Sequence, residues 1–418
     1  MTIKRRELLS TGVASLAVLG LPSAGFAQRE PLAGYLYGVS TLNPENMMEE
    51  LSVVVRMSLA DGKVTYHPLP EHKLGHSLTP LPDGGFFAVP YGDDATACLF
   101  LDADLNVQDQ FAAPDGYGFG GHAALLPDGR HIFGHFNQAG YAKDKRRPDQ
   151  TGQRFVVDVQ ARKTISVSDT EILHGHDIIL SRDGRHVIVG DDGTLEVKSP
   201  EELKEASEDP YALVAHSPSL TLFNADTFEH EKTIPLGING SFVHIEQDGE
   251  GVVFGAVEQY VSRNEAGLGA LRQLLGDDGD VERYVDSLAE EVFFVELPYP
   301  GPLMRVDLDS GGLDEHLAPQ NQAPFDIKLN TRTNRMFNVF TASNMLARFD
   351  PRKKTWGYFS TAAWGIEQPY GLIDIPGTTL MAVNGFLRGI AVFDTLTMSL
   401  VRFYTSENFG IKHLLYQP

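Results

Sequence analysis

The chain is almost without cysteine, having only Cys98 among 418 residues. An intrachain disulfide needs two thiols and a thiolate metal cluster needs several, so both are excluded. Tryptophan is nearly as scarce, with Trp356 and Trp364 alone, which argues against a quinone cofactor docked on tryptophan. Basic residues are outnumbered, 34 Lys and Arg against 56 Asp and Glu, for a formal charge of −22. Such a surface repels phosphate backbones and anionic lipid heads and draws in cations, so nucleic acid is disfavoured as a partner. The one basic cluster, Lys143 with Lys145-Arg146-Arg147, reads as a solvated loop. No segment beyond the first 27 residues is long and apolar enough to cross a bilayer. Sustained helical periodicity is also scarce.

What is present begins with an export signal. Lys4-Arg5-Arg6 precedes a mildly apolar run from Ser10 to Leu21, then Pro22 and the small-residue stretch Gly25-Phe26-Ala27. That order, with paired arginines ahead of a weakly hydrophobic core, reads as twin-arginine export to the bacterial periplasm. A membrane anchor is the alternative, but the run is short for a span and broken by glycine. Residues 1–27 are taken as the signal peptide and 28–418 as a single domain. Losing the signal removes three basic and one acidic residue and moves the net charge from −22 to about −24.

Internal repeats organise the rest. Blocks open at Gly75-His76-Ser77-Leu78, Gly121-His122-Ala123-Ala124, Gly175-His176-Asp177-Ile178 and Val243-His244-Ile245-Glu246. Each runs into a turn: Pro82-Asp83-Gly84, Pro127-Asp128-Gly129, Arg182-Asp183-Gly184 or Asp248-Gly249. An apolar strand follows, then a third strand ending in a further turn, then a fourth. Two more blocks lack the histidine and start at Pro324-Phe325-Asp326-Ile327 and Pro369-Tyr370-Gly371-Leu372. The C-terminal strand around Ile411-Lys412-His413 completes three N-terminal strands lying between Gly34 and Pro68. Four-stranded blocks closed by strands from opposite termini predict an all-β fold, a seven-bladed β-propeller. An open pair of sandwiches is the structural alternative. Insertions at 136–153, 192–217 and 260–296 interrupt the pattern; Ser199-Pro200-Glu201-Glu202 and the leucine spacing from Leu268 to Leu288 predict short helices in the last two.

In a propeller the first strands of all blades line the central channel and run the same way, so equivalent positions form a ring at one mouth. His76, His122, His176, His244 and His413 hold that position, with Asp326 expected to replace histidine in one block. His174, two residues before His176, is a candidate extra ligand. Converging imidazoles suit Zn²⁺, Fe²⁺ or Cu²⁺, with aspartate as a hard ligand. The bland alternative is a set of channel histidines bonded to carbonyls or water. His72 and His135 fall near the mouth on a less definite register, while His67, His131, His186, His216, His230 and His316 read as ordinary strand or surface residues. The glycine-spaced run Gly116-Tyr117-Gly118-Phe119-Gly120-Gly121 leads into a strand, not a helix, and so is no dinucleotide fingerprint.

From Gly75 to the C-terminus, on the His-containing blocks above together with Pro218-Ser219-Leu220, the chain resembles a family of Tat-exported bacterial propeller proteins of unknown function. That resemblance implies a place beside periplasmic iron-uptake proteins. Around Leu173-His174-Gly175-His176 the chain is more distantly similar to periplasmic zinc metallochaperone propellers, which implies zinc held by channel histidines. The expected function is a monomeric, periplasmic accessory protein for metal capture, chaperoning or sensing, with a metal ion and periplasmic metal-uptake proteins as partners. A lactonase- or lyase-like propeller enzyme at the same mouth, and a scaffold that binds a protein through its insertions, stand as the rival expectations.

Overall fold

The computed structural model describes residues 32–42, 50–69, 75–92, 97–138, 151–172, 174–191, 194–195, 214–216, 218–236, 240–262, 294–296, 302–317, 324–350, 353, 355–386, 388–407 and 411–418. Residues 1–27 and the segments expected to be helical lie outside this set. Among the described residues the chain is almost entirely β, and helix is confined to two 3₁₀ turns, Thr341–Ser343 and Ala362–Trp364.

The strands form antiparallel ladders of four, each built from consecutive segments. The first is Gly75–Pro80, Phe86–Gly92, Ala97–Leu101 and Val107–Ala112, and the second is Tyr117–Leu125, His131–Gln138, Gln153–Asp158 and Lys163–Asp169. Pairing of Tyr91 with Gly120 and Gly92 with Phe119 joins these two into one eight-stranded sheet. The third ladder runs Gly175–Leu180, His186–Asp191, Ser219–Asn224, His230–Pro235. The fourth runs Gly240–Gln247, Val252–Ser262, Pro302–Asp307, Leu313–Leu317, with Phe294–Glu296 added beside the long second strand. The fifth is Pro324–Asn330, Arg335–Phe340, Met345–Asp350, Thr355–Ser360, and the sixth Pro369–Asp374, Leu380–Gly385, Arg388–Asp394, Ser399–Glu407. The closing ladder joins both ends of the chain: Ile411–Gln417 pairs with Tyr35–Leu42, which continues to Glu50–Ser58 and Val64–Pro68.

Residue type explains strand position. Second strands such as Phe86–Gly92 and His186–Asp191 are near-continuous apolar runs because neighbouring ladders cover both of their faces. Fourth strands such as Lys163–Asp169 alternate or stay polar because they form the rim. The turns are chemically specified. Asp128 accepts the backbone N–H groups of Arg130 and His131 at 2.8 and 3.0 Å, and Gly129 supplies the positive φ between them. Asp102, Asp158, Asn224, Asp307 and Asp394 repeat this side-chain cap at the ends of the third strands.

Hydrophobic clusters sit between ladders. Phe87 and Phe100 of the first pack with Phe119, Phe136 and Phe155 of the second. Phe133 and Val156 meet Val187, Val189 and Phe223 of the third. The same sharing continues from third to fourth, fourth to fifth, fifth to sixth, sixth to closing, and closing back to first, where Tyr37 and Val54 meet Phe86 and Leu99. The first strands likewise touch in one unbroken cycle, Ile411–Gln417 lying between Pro369–Asp374 and Gly75–Pro80. Ring closure turns the unpaired inner edges of the first strands toward the channel, where they cannot template pairing with another chain.

The insertions all fall between second and third strands, in the second, third and fourth ladders. Two of them carry short extra pairings, Thr194–Leu195 with Val214–His216 and Tyr260–Ser262 with Phe294–Glu296.

Candidate metal centre

The first strands share an irregularity that aims side chains. The pairing register shifts between Gly75 and Ser77, Phe119 and Ala123, Gly175 and Ile178, Phe242 and His244, Pro324 and Ile327, Pro369 and Leu372, and, in the closing ladder, on the strand facing Ile411 and Leu414. A bulge takes a residue out of the alternating pleat and re-aims its side chain. At or beside these bulges stand His76, His122, His176, His244 and His413. Glycine before the histidine permits close approach: a Cβ on Gly121, itself at φ +96°, would lie 2.8 Å from the His76 ring.

The five imidazoles converge. One ring nitrogen from each of His76, His122, His176 and His244 lies within 4.8 Å of the other three, close enough to share one ion. His413 joins from the closing strand, its Nε2 3.0 Å from His76 Nε2 and its ring centroid 4.7 and 4.6 Å from those of His122 and His244. Four of the rings are buried, and the His122 side chain keeps 13 % of its surface in solvent.

The tautomers of two rings follow from their partners. His244 Nδ1 lies 2.9 Å from the Phe325 carbonyl oxygen, which can only accept, so Nδ1 carries the proton and Nε2 presents its lone pair. His122 Nδ1 faces the buried Asp177 carboxylate at 3.4 Å, with the same result. The Nε2 atoms of both are buried with no hydrogen-bond partner among the described residues. Burial, then the neighbouring His176 and Lys328, holds His122 well below the usual histidine range. Burial does the same for His244, and burial with His76 and His244 for His413. These rings are therefore neutral at pH 7, the form that binds a cation.

The other candidates lie elsewhere. Phe325 takes the position expected for Asp326, its ring centroid 5.1 Å from that of His244. Asp326 is one residue further on. Its Oδ2 accepts the Leu372 N–H at 2.7 Å, strapping the fifth ladder to the sixth, and its Oδ1 is 3.9 Å from Lys328 Nζ. Burial raises the Asp326 carboxyl to about 7. Burial alone would lower Lys328, but Asp326, Glu246 and Asp177 outweigh it and raise its pKa. His174 is buried and donates its backbone N–H to Asp191 at 3.3 Å, outside the four-histidine group. His135 is spoken for by Asn137 and Thr170, at 2.9 and 3.0 Å. His131, His186 and His230 make surface contacts with Asp128, Glu231 and Thr233. His72 lies outside the described residues.

No protein-family model matches the chain, and no curated protein matches it in sequence. Solved structures do resemble it. Hydrazine synthase of Kuenenia stuttgartiensis superposes with a TM-score of 0.53 at 9 % identity, over 93 % of this chain and 99 % of that one. A 6-phosphogluconolactonase-like protein of Bacteroides fragilis gives 0.55 at 13 % identity, over 92 % and 98 %. A mutant of Synechocystis apocarotenoid oxygenase gives 0.53 at 12 % identity, over 93 % of each chain. The fold is a β-propeller. At these identities the likeness extends to architecture and no further, so the propeller's chemistry rests on its own residues.

Two groups escaped the sequence reading. Asp177 follows His176 directly and binds the Ile178 N–H at 3.0 Å and the Ile245 N–H at 2.8 Å while facing His122. The signal was available: aligning Gly175-His176-Asp177-Ile178 with Pro324-Phe325-Asp326-Ile327 sets the two aspartates in one column and Phe325 opposite His176. The Phe325–Tyr370 pair, with centroids 3.9 Å apart, completes the same ring on the side without histidine.

Proposed function

We propose that this protein is a transition-metal-binding accessory protein of the bacterial periplasm, exported by the twin-arginine route and serving metal capture, chaperoning or sensing. The observation that carries the reading is the group of four histidine nitrogens within 4.8 Å of one another. His76, His122, His176 and His244 form the ligand set, and His413 is a fifth imidazole packed against three of them. Zinc, iron and copper all accept imidazole, and the neutral rings need lose no proton to bind. The formal charge of −22 favours a cation over an anion as cargo. Counting the eight-stranded sheet as two units gives seven blades, one per ladder. Residues 1–27 are assigned to export and 28–418 to one domain. The resemblance to Tat-exported propellers beside periplasmic iron-uptake proteins supports a metal-uptake partner.

A second reading is a metal-dependent enzyme at the same mouth. The part of the His122 side chain that stays in solvent, beside its buried Nε2, favours it, because water reaching that side of the ring would lie next to a bound ion that can activate it. The neighbours in fold include hydrazine synthase and apocarotenoid oxygenase, whose names denote enzymes.

Elemental analysis of protein purified without a histidine tag, then dialysed against one metal at a time, tests the proposal. One equivalent of zinc, iron or copper is expected, and His244→Ala is expected to lose it. Wild-type protein with no stoichiometric metal overturns the reading.

A further inference from the structure

The ring at the channel mouth is chemically two-sided. Five successive positions, in the closing ladder and the first four, are histidine; the next two are Phe325 and Tyr370. Their ring centroids are 3.9 Å apart, and Phe386 extends the row at 5.0 Å from Tyr370. Phe325 lies 5.1 Å from His244 and stacks near-parallel to His413 at 6.5 Å, so the aromatic sector abuts the imidazoles directly. All three aromatic residues are only half-buried, and the Phe325 ring also packs against the cluster between the fifth and sixth ladders. Core packing uses part of the Phe325 ring, while Tyr370 and Phe386 lie outside the clusters of buried apolar side chains.

Charge adds a second constraint. A divalent ion among neutral imidazoles keeps its full charge in that layer. The carboxylate nearest to His122, Asp177, is already engaged by two backbone N–H groups. A further ligand on the ion is therefore best anionic, and its body would lie against rings that reward flat apolar groups with stacking.

We propose that the propeller binds a small planar organic anion, with an oxygen donor on the metal ion and a conjugated or aromatic body on Phe325, Tyr370 and Phe386. This inference rests on the metal reading above and specifies what the loaded site takes.

Hydroxamates separate the two parts. Acetohydroxamate and benzohydroxamate present the same anionic chelating head, and only the second carries a flat ring. Calorimetry on zinc-loaded protein is expected to give a Kd for benzohydroxamate lower by on the order of tenfold. Phe325→Leu with Tyr370→Leu is expected to bring that ratio to near one, with acetohydroxamate affinity and zinc content unchanged. Elemental analysis after each titration shows that zinc stays on the protein. A ratio near one in the wild type, or one that survives both substitutions, overturns this inference and leaves the metal site standing. Failure of the wild type to hold zinc overturns both.

Discussion

His413 Nε2 lies 3.0 Å from His76 Nε2 across the seam where the last strand of the chain closes the ring. The two nitrogens can share only one proton, so one ring donates and the other accepts. The contact ties the closing ladder to the first at the level of the candidate metal, while His76, His122, His176 and His244 each offer a ring nitrogen within 4.8 Å of the other three.

This arrangement ranks the histidines. His244→Ala removes a bare, buried Nε2 and is expected to weaken zinc binding at least about 100-fold, whereas His413→Ala is expected to cost about tenfold or less. Competition titrations against a chromophoric chelator read both values. Equal losses would place His413 in the ligand set on the same footing as His244.

Asp177 acts on the metal through His122. Asp177→Asn keeps one oxygen, enough for one of the two backbone N–H groups that separate oxygens now accept, and removes the charge that fixes the His122 tautomer; metal affinity is expected to fall about 10- to 100-fold. The urea midpoint of the metal-free protein should move far less than the affinity. A variant that unfolds readily yet binds zinc as the wild type does would make Asp177 a strap between ladders alone.

Acid stability follows from the buried histidines, and the sign can be worked out. His135 is held at about 4, mainly by burial, and His122, His244 and His413 also lie well below 6.5. Above pH 6.5 these rings are neutral in both folded and unfolded chains and add no slope. Below it the unfolded chain takes up protons that the folded chain refuses, so stability falls as pH falls; for His135 the loss is complete below about 4 and amounts to roughly 3 kcal/mol. Asp326 opposes this. Held at about 7, it binds a proton in the folded state first and stabilises the fold as pH drops from about 7 towards the ordinary carboxylate range. Urea midpoints between pH 7 and 5 should therefore fall more steeply in Asp326→Asn and less steeply in His135→Gln than in the wild type.

Lys328 is the cation that Asp326, Glu246 and Asp177 share. Lys328→Met leaves buried carboxylates uncompensated and is expected to cost about 3 kcal/mol of stability by urea unfolding, part of it recovered by adding Asp326→Asn. No recovery in the double variant would mean that the lysine acts through packing of its stem.

Much of this architecture was legible because turn chemistry punctuates the chain. Asp128-Gly129 and its repeats mark where second strands begin, and the cyclic pairing of Ile411–Gln417 with Tyr35–Leu42 followed from strands left over at each end. The convergence of histidines was legible from a shared place in each repeat. The identity of every ring member was not. Bulges displace the pleat by one residue, so alternation could not tell Phe325 from Asp326, and the inter-ladder straps made by Asp177 and Asp326 depend on contacts between segments about 46 to 68 residues apart. A half-buried lysine serving three carboxylates leaves no local pattern at all.

X-ray absorption at the zinc edge, on stoichiometrically loaded protein, reads the first coordination shell directly. The account predicts imidazole scattering from three or four nitrogens at about 2.0–2.1 Å, reduced by one in His244→Ala. A shell dominated by carboxylate or water oxygen, with no imidazole outer-shell signature, would contradict it.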